Sequence, residues 1–253
     1  MADAAVIVRL LTWLSPAFPT GAFAYSHGLE WAVAAGDVSD TGSLRAWLED
    51  LLRLGAGRSD AILLRHAHRA AAEGHVIAGR PLPRGEDPVV DPAIQGCPGL
   101  RPGMTSVNED QPGTALDTIA DLAAAAAPSR ERQAETLGLG AAFATAAAPW
   151  GRVAPAAYPV AVGALTGRSG VPEDDATVAY LQAFTANLVS AAVRLIPLGQ
   201  TAGLAVLAAL EPAILAVLGE TTGAGLADIG GACWRSDIAS MRHETQYTRL
   251  FRT

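Results

Sequence analysis

Apolar residues recur at steps of three and four along most of the chain, and this spacing is typical of amphipathic helices. The spacing is clearest in two runs: Leu44, Trp47, Leu48, Leu51 and Leu52, and then Leu181, Phe184, Leu188, Ala191 and Leu195. No run alternates apolar and polar residues convincingly over the length of a strand. We therefore predict an all-α fold for residues 1–253, a single-domain helical bundle of about eight to ten helices.

Prolines, glycines and capping residues divide this pattern into separate helices. Asp40 and Ser129 are good N-caps, and Pro172 precedes three acids that favour the first turn of a helix. Pro149 and Pro197 end the helices before them. The predicted helices cover residues 5–14, 22–35, a run that begins after Asp40, 60–73, 114–127, 129–148, 152–167, 172–196, 204–218 and 226–241.

Residues 74–113 differ in kind from the rest of the chain. Seven glycines and seven prolines fall within these 40 residues, and no helical spacing continues through them. Such a composition buries too little apolar area to offset the entropy lost on ordering. We predict a flexible Gly/Pro-rich surface insertion within one domain, because helices of the same style resume after it.

Charge and composition exclude several classes of function. The net charge is −7 and no basic stripe is present, which argues against a nucleic-acid partner. All 18 basic residues are arginines, so neither a GxxxxGK[ST] phosphate loop nor a lysine Schiff base can form. Cys97 and Cys233 form no CxxC motif, which favours a reducing compartment. The most apolar stretch, 198–218, carries polar residues and Pro212, so we predict a buried core helix in a soluble, cytoplasmic protein without a membrane partner.

The stretch from Leu14 to Trp31 allows two interpretations, a reactive turn or a shaped entry into a helix. Its sequence around Ser26, AYSHG, is close to the GxSxG nucleophile elbow, with alanine in place of the first glycine. Asp237 and His243 follow in the order that a serine hydrolase of that fold requires. The elbow also requires a strand before the turn, and no strand is predicted. A helix entry is therefore the favoured interpretation, and a serine hydrolase using Ser26 is an alternative.

The five histidines suggest a second alternative, a histidine-based metal-binding protein. His66 and His68 are two residues apart, so on a helix they point in opposite directions and cannot share one small ion. His27, His243 and Cys233 converge only if the tertiary fold brings them together. The sequence thus predicts no metal site and no cofactor.

The C-terminal segment combines aromatic and arginine residues, which are the types that anchor protein interfaces. Its residues 243–253 read HETQYTRLFRT. A free chain end usually frays, but this composition favours a docking tail.

Three blocks of the sequence resemble the urease accessory protein UreF family. The first is LSPAFPTGAFAYSHGLEWAVAAG at 14–36, followed by SLRAWLEDLL; the others are SAAVRLIPLGQTAG at 190–203 and RHETQYTRLFR at 242–252. The resemblance implies an all-helical homodimer without an active site of its own. It also implies an adaptor that bridges a UreD/UreH-type accessory protein and the GTPase UreG. This adaptor would dock on apo-urease and regulate GTP-dependent nickel delivery to it. Under the same resemblance, the histidine-based alternative becomes a nickel-binding protein.

The resemblance also suggests which positions contact partners. The tail resembles the family segment that becomes ordered against the UreD/UreH-type partner, and the helix up to Leu14 is expected to join that contact. The region around Arg194 and Gln200, with the stretch from Leu14 to Trp31, is expected on the dimer and GTPase-facing surfaces. The candidate partner-binding residues are Tyr25, Ser26, Glu30, Arg194, Gln200, Gln246, Tyr247, Arg249, Phe251 and Arg252.

Overall fold

The computed structural model describes residues 3–74 and 114–253, and these ranges form ten α-helices, two short 3-10 turns and no strand. The helices are α1 (Ala4–Trp13), α2 (Leu29–Ala34), α3 (Thr41–Leu54), α4 (Ala56–Ala72), α5 (Ala115–Ala125), α6 (Arg130–Ala146), α7 (Tyr158–Arg168), α8 (Glu173–Leu195), α9 (Gly199–Thr221) and α10 (Trp234–His243). The 3-10 turns are Ala22–Ala24 and Leu226–Asp228. The predicted all-α fold is confirmed. Apart from Gly74, the predicted insertion lies outside the described residues.

Capping residues set the helix starts that the sequence signals. The Asp40 carboxylate accepts a hydrogen bond from the backbone N–H of Ser43 at 2.8 Å, which satisfies an otherwise unpaired donor at the start of α3. The Ser129 hydroxyl does the same for Arg132 at 3.1 Å, so α6 begins where the sequence indicated. These two boundaries are confirmed.

Two predicted helices are interrupted in the structure, and two others have different ends, since the helix predicted over 152–167 begins at Tyr158 and that over 204–218 spans Gly199–Thr221. Residues 22–35 do not form one helix, because His27 and Gly28 adopt positive φ values of 57° and 75° and interrupt the chain before α2. The helix predicted over 226–241 begins only at Trp234, after the 3-10 turn Leu226–Asp228. The first interruption packs against Ser240 of α10, and the second contains Gly230, whose φ is 119°, and Gly231, which lies against the Leu54 carbonyl.

The centre of the fold is the close packing of α4 against α7. A Cβ placed on Gly163 would lie 2.4 Å from the carbonyl oxygen of Leu64, and one on Gly167 would lie 2.3 Å from that of His68. Only glycine at both positions therefore allows the two backbones to approach this closely. Leu64 and Leu165 fill the space beside them and are both buried.

The apolar faces of the helices meet in three hydrophobic clusters. The largest joins α2, α3, α8 and α9 around Leu48, Leu188 and Leu210. A second gathers Trp13 and Phe143 beneath α1, and a third lies under α5. Helices α8 and α9 are long and apolar enough to cross a membrane, but both contribute side chains to these clusters, as core helices of soluble proteins do.

Two arginines of α4, of which Arg65 is buried, join the end of α9 to the start of α8. Arg65 of α4 is 1% exposed and contacts Glu173 at 2.5 Å and Asp174 at 2.7 Å, both in the first turn of α8. The same guanidinium donates to the Leu218 carbonyl of α9 at 2.9 Å, and Arg69 pairs with Glu173 at 2.7 Å. We name this group the arginine clamp.

Candidate partner-binding surface

The C-terminal tail, residues 244–253, lies against its own chain. The backbone N–H of Arg252 donates to the carbonyl of Ala24 at 2.8 Å, and the N–H of Ser26 donates to that of Thr253 at 2.8 Å. The Ser26 hydroxyl donates to the same Thr253 carbonyl at 2.5 Å. These bonds pair the tail with the segment that precedes α2, so the tail docks within the chain instead of fraying.

Glu30 of α2 holds the tail through hydrogen bonds to its backbone. Its two carboxylate oxygens accept hydrogen bonds from the backbone N–H groups of Leu250, at 2.6 Å, and Phe251, at 2.9 Å. Glu30 itself is 5% exposed. A buried carboxylate that receives backbone donors in this way fixes the path of the chain at both positions.

Side chains of the tail add three further contacts. The Arg249 guanidinium donates to Glu131 of α6 at 2.8 Å, and the Thr253 hydroxyl donates to Glu135 at 2.6 Å. The Phe251 ring is buried, and the Arg194 guanidinium lies 4.4 Å from its centroid in a cation–π contact. The tail is thus held through α6 and α8 as well as α2.

A buried charge cluster lies beneath the end of the tail. His27 Nδ1 is 2.8 Å from Glu135, and the Arg132 guanidinium contacts the same carboxylate at 2.5 Å. Burial lowers the pKa of His27, with a further contribution from Arg132. Burial opposes ionisation of Glu135, but Arg132 and His27 outweigh it and bring its pKa to about 2. The Arg132 guanidinium also lies 2.9 Å from His27 Nδ1, so this nitrogen faces both members of the Arg132–Glu135 ion pair. Nε2 has no hydrogen-bond partner among the described residues, and the ring packs edge-on against Phe184.

The start of α2 lies directly against α10. A Cβ on Gly28 would be 2.6 Å from the backbone nitrogen of Ser240, so no larger residue fits between the two elements. The positive φ of Gly28 adds a second reason for glycine. Because α10 leads into the tail, this contact sets where the tail begins.

Helix α10 and the tail both expose apolar side chains. Trp234, Ile238 and Met241 lie at helical spacing on α10 and are 68%, 50% and 49% exposed. In the tail, Tyr247 is fully exposed and Leu250 is 75% exposed. We name these five residues the C-terminal surface. Exposed apolar side chains in such a group are typical of a contact site for another protein.

The structure divides the predicted partner-binding residues into enclosed and exposed sets. Ser26, Glu30 and Phe251 are buried by intrachain contacts, so a partner reaches them only if the tail leaves. Tyr25 and Gln246 are half-buried. The exposed ones are Arg194, Gln200, Tyr247, Arg249 and Arg252. Gln200 lies at the start of α9 and forms no part of the tail contact.

The two alternative functions lack their required geometry in residues 3–74 and 114–253. The Ser26 hydroxyl bonds to a backbone carbonyl, and both ring nitrogens of His243 face glutamates, so no serine–histidine pair forms. His66 and His68 contact the carbonyls of Ala224 and Val171, in keeping with their predicted divergence. Among these residues no group of three histidine, cysteine, aspartate or glutamate side chains could hold a metal ion.

Sequence reasoning missed several residues of this region. Glu131, Glu135 and Thr253 received no role, because only the tertiary fold brings α6 beneath the tail. The exposed stripe on α10 did carry a signal, since Trp234, Ile238 and Met241 are spaced by four and three residues. That spacing is equally typical of a buried face, so the sequence alone does not separate the two.

Comparison with known proteins identifies the family. The family model described as UreF matches residues 38–211, which is more than half of the chain. The chain belongs to the UreF family of urease accessory proteins. The resemblance inferred from the three sequence blocks is therefore confirmed, and the chain belongs to the proteins that serve urease maturation.

Full-length relatives agree with this assignment to UreF. A urease accessory protein UreF of Cereibacter sphaeroides is 47% identical over 251 residues, covering 98% of this chain and 99% of the relative. One of Rhodopseudomonas palustris is 46% identical over 262 residues, covering 99% and 94%. One of a Bradyrhizobium species is 44% identical over 261 residues, covering 99% and 93%. The similarity thus includes the N-terminal stretch and the tail, which the family model does not cover.

Proposed function

We propose that this chain is a cytoplasmic adaptor that bridges a UreD/UreH-type protein and the GTPase UreG. In this role it regulates GTP-dependent nickel delivery to apo-urease without catalysing a reaction. The observation that carries the proposal is the docked tail, which buries Phe251 and holds Tyr247 and Leu250 in the solvent. A rigid aromatic group displayed on an ordered segment binds a partner with a small loss of entropy.

The UreD/UreH-type protein is the proposed occupant of the C-terminal surface. The outer side of α1 supports a second part of the same contact, because Ile7, Val8 and Leu11 are 46%, 64% and 70% exposed. Two separate apolar sites on one molecule suit an adaptor, which must hold a partner in a fixed orientation.

Assembly on a sizing column tests the adaptor function. The chain, UreG with a GTP analogue and the UreD/UreH-type protein are expected to elute as one complex. Omitting the chain is expected to leave UreG separate from the UreD/UreH-type protein. Elution of UreG with that protein in the absence of the chain would contradict the bridging role.

We also propose that the chain forms a homodimer through the outer face of α9. Leu204 and Leu215 on this face are 65% and 59% exposed, although α9 is a core helix on its other side. A two-fold axis would place the same apolar residues of two copies against each other. Light scattering is expected to give a dimer for the wild type and a monomer for Leu215→Arg. The matched control, Leu137→Arg, also changes an exposed leucine and is expected to stay dimeric.

A further inference from the structure

His243, the last residue of α10, is enclosed between two carboxylates from different helices. Its Nδ1 lies 2.7 Å from Glu131 of α6, and its Nε2 lies 3.1 Å from Glu30 of α2. The side chain of His243 is 0% exposed. An ionised carboxylate only accepts hydrogen bonds, so both contacts are hydrogen bonds only when both ring nitrogens carry a proton.

The two carboxylates that face His243 are also the ones that hold the tail. Glu30 accepts the backbone N–H groups of Leu250 and Phe251, and Glu131 accepts the Arg249 guanidinium. The His243 side chain therefore orients both anchors of the tail without binding a tail side chain itself. Glu131 also lies in the first turn of α6, where a negative charge is favoured.

We propose that His243 is a proton-dependent latch that keeps the tail docked. The charged groups that face the ring are Glu30 from α2 and Glu131 from α6, and Arg249 from the tail faces Glu131. When the His243 ring is protonated, its charge and that of Arg249 balance the charges of Glu30 and Glu131. Loss of the proton turns one N–H into a lone pair that faces a carboxylate and leaves one buried negative charge uncompensated. Glu30 and Glu131 then move apart, and the tail detaches from α2 and α6.

The latch operates within one chain. It adds a regulatory step to the proposed adaptor function, and its test needs no partner protein. Under the adaptor function it controls whether Tyr247 and Leu250 are displayed or detached. An arginine at the same place would hold the tail at every pH, because a guanidinium keeps its proton. Histidine makes the attachment conditional.

The test uses the free full-length chain, labelled for NMR. The protonation of the His243 ring and the exchange protection of the Leu250 and Phe251 amides are followed together across pH. Both are expected to change over the same pH interval. Protection is expected to fall by about tenfold or more, which is the effect of losing a charge-assisted hydrogen bond. Partner binding plays no part in this experiment, so its outcome is separate from that of the adaptor proposal.

Three variants complete the experiment. His243→Gln, with a neutral side chain, is expected to lose amide protection at every pH. The matched control, His66→Gln, changes a histidine that contacts only the Ala224 carbonyl and is expected to follow the wild type. Glu131→Gln keeps a partly exposed side chain of the same size, and it is expected to move the ring protonation and the amide protection together, because one of the two charges that face the ring is gone. This third variant keeps the proposal testable if His243→Gln does not fold.

Two outcomes would overturn the latch. In one, the ring loses its proton while Leu250 and Phe251 remain protected. In the other, the ring keeps its proton until the whole chain unfolds.

Discussion

The arginine clamp and the latch of the tail are both ion networks around one buried basic side chain, but that side chain is an arginine in the clamp and a histidine in the latch. In the clamp, Arg65 and Arg69 join α4 to the start of α8 and the end of α9. In the latch, His243 joins α2 to α6 and thereby holds the tail. A guanidinium is charged at every physiological pH, whereas an imidazole is charged only when protonated. The chain therefore fixes its core permanently and its proposed binding segment conditionally.

Breaking the clamp is expected to have the largest effect on stability. Arg65→Met removes a buried cation together with its bonds to Glu173, Asp174 and the Leu218 carbonyl, and leaves Arg69 as the remaining partner of Glu173. We expect a loss of about 3 kcal/mol in the free energy of unfolding, the lower end for a broken buried ion pair, because Arg69 still compensates the charge of Glu173. Denaturant titration measures it. The control Arg53→Met alters an exposed arginine with contacts of 3.5 and 3.6 Å and is expected to change stability by about 0.5 kcal/mol or less.

Acid is expected to weaken the cluster beneath the tail. The pKa of Glu135 in the folded chain is about 2, below its ordinary value of 4.5. Ionised Glu135 therefore contributes its full share to the free energy of unfolding above pH 4.5, and this share is lost as pH falls towards 2. The lowered pKa of His27 acts in the same direction, because the neutral ring must take up a proton as the chain unfolds in acid. Together with Arg132, Glu135 accounts for about 3 kcal/mol that disappears on acidification.

Comparison of the wild type with Glu135→Gln isolates this contribution. The stability difference between the two proteins in denaturant titrations is expected to shrink between pH 6 and pH 3. A difference that stays constant over this interval would mean that Glu135 is not held in its ionised form by its neighbours.

Removing one anchor of the tail is expected to have a smaller, local effect. Glu30→Gln keeps the shape of the side chain but replaces charge-assisted bonds to Leu250 and Phe251 with at most weaker ones. We expect a loss of about 2 kcal/mol and faster proteolysis of the tail. Glu49→Gln, on the exposed side of α3, is the control. Unchanged proteolysis would show that Glu30 does not anchor the tail.

Asp60 is expected to give the smallest change, and one of opposite sign. Burial raises its pKa to about 6 although Arg132 and the Tyr180 hydroxyl favour ionisation, so the ionised form disfavours folding as pH rises through 6. Asp60→Asn is expected to stabilise the protein by about 1–2 kcal/mol at pH 8, with the gain absent below pH 4. Asp60 lines a cavity of about 270 Å³ and is half-buried, so solvent screening reduces the effect. The exposed Asp121→Asn serves as control, and an equal gain at all pH values would contradict this account.

The sequence predicted those parts of the fold that depend on local chemistry. Asp40 and Ser129 cap their helices through residues three positions away, so a short window contains the whole interaction. The interruption before α2 was missed because its cause is distant. Gly28 adopts its conformation against Ser240, more than 200 residues along the chain. The same limit applies to the candidate site. The composition of the tail predicted an interface segment, but the residues of α2 and α6 that hold it are distant in sequence and could not be predicted.

Calorimetric titration with the UreD/UreH-type protein tests the central claim most directly. Tyr247 and Leu250 are exposed and contribute little to the folded chain, so Tyr247→Ala/Leu250→Ala is expected to keep the stability of the wild type. If the docked tail displays these residues to that partner, affinity is expected to fall by about 100-fold, as for the loss of two anchoring side chains. An affinity equal to that of the wild type, in a variant that remains folded, would contradict the account.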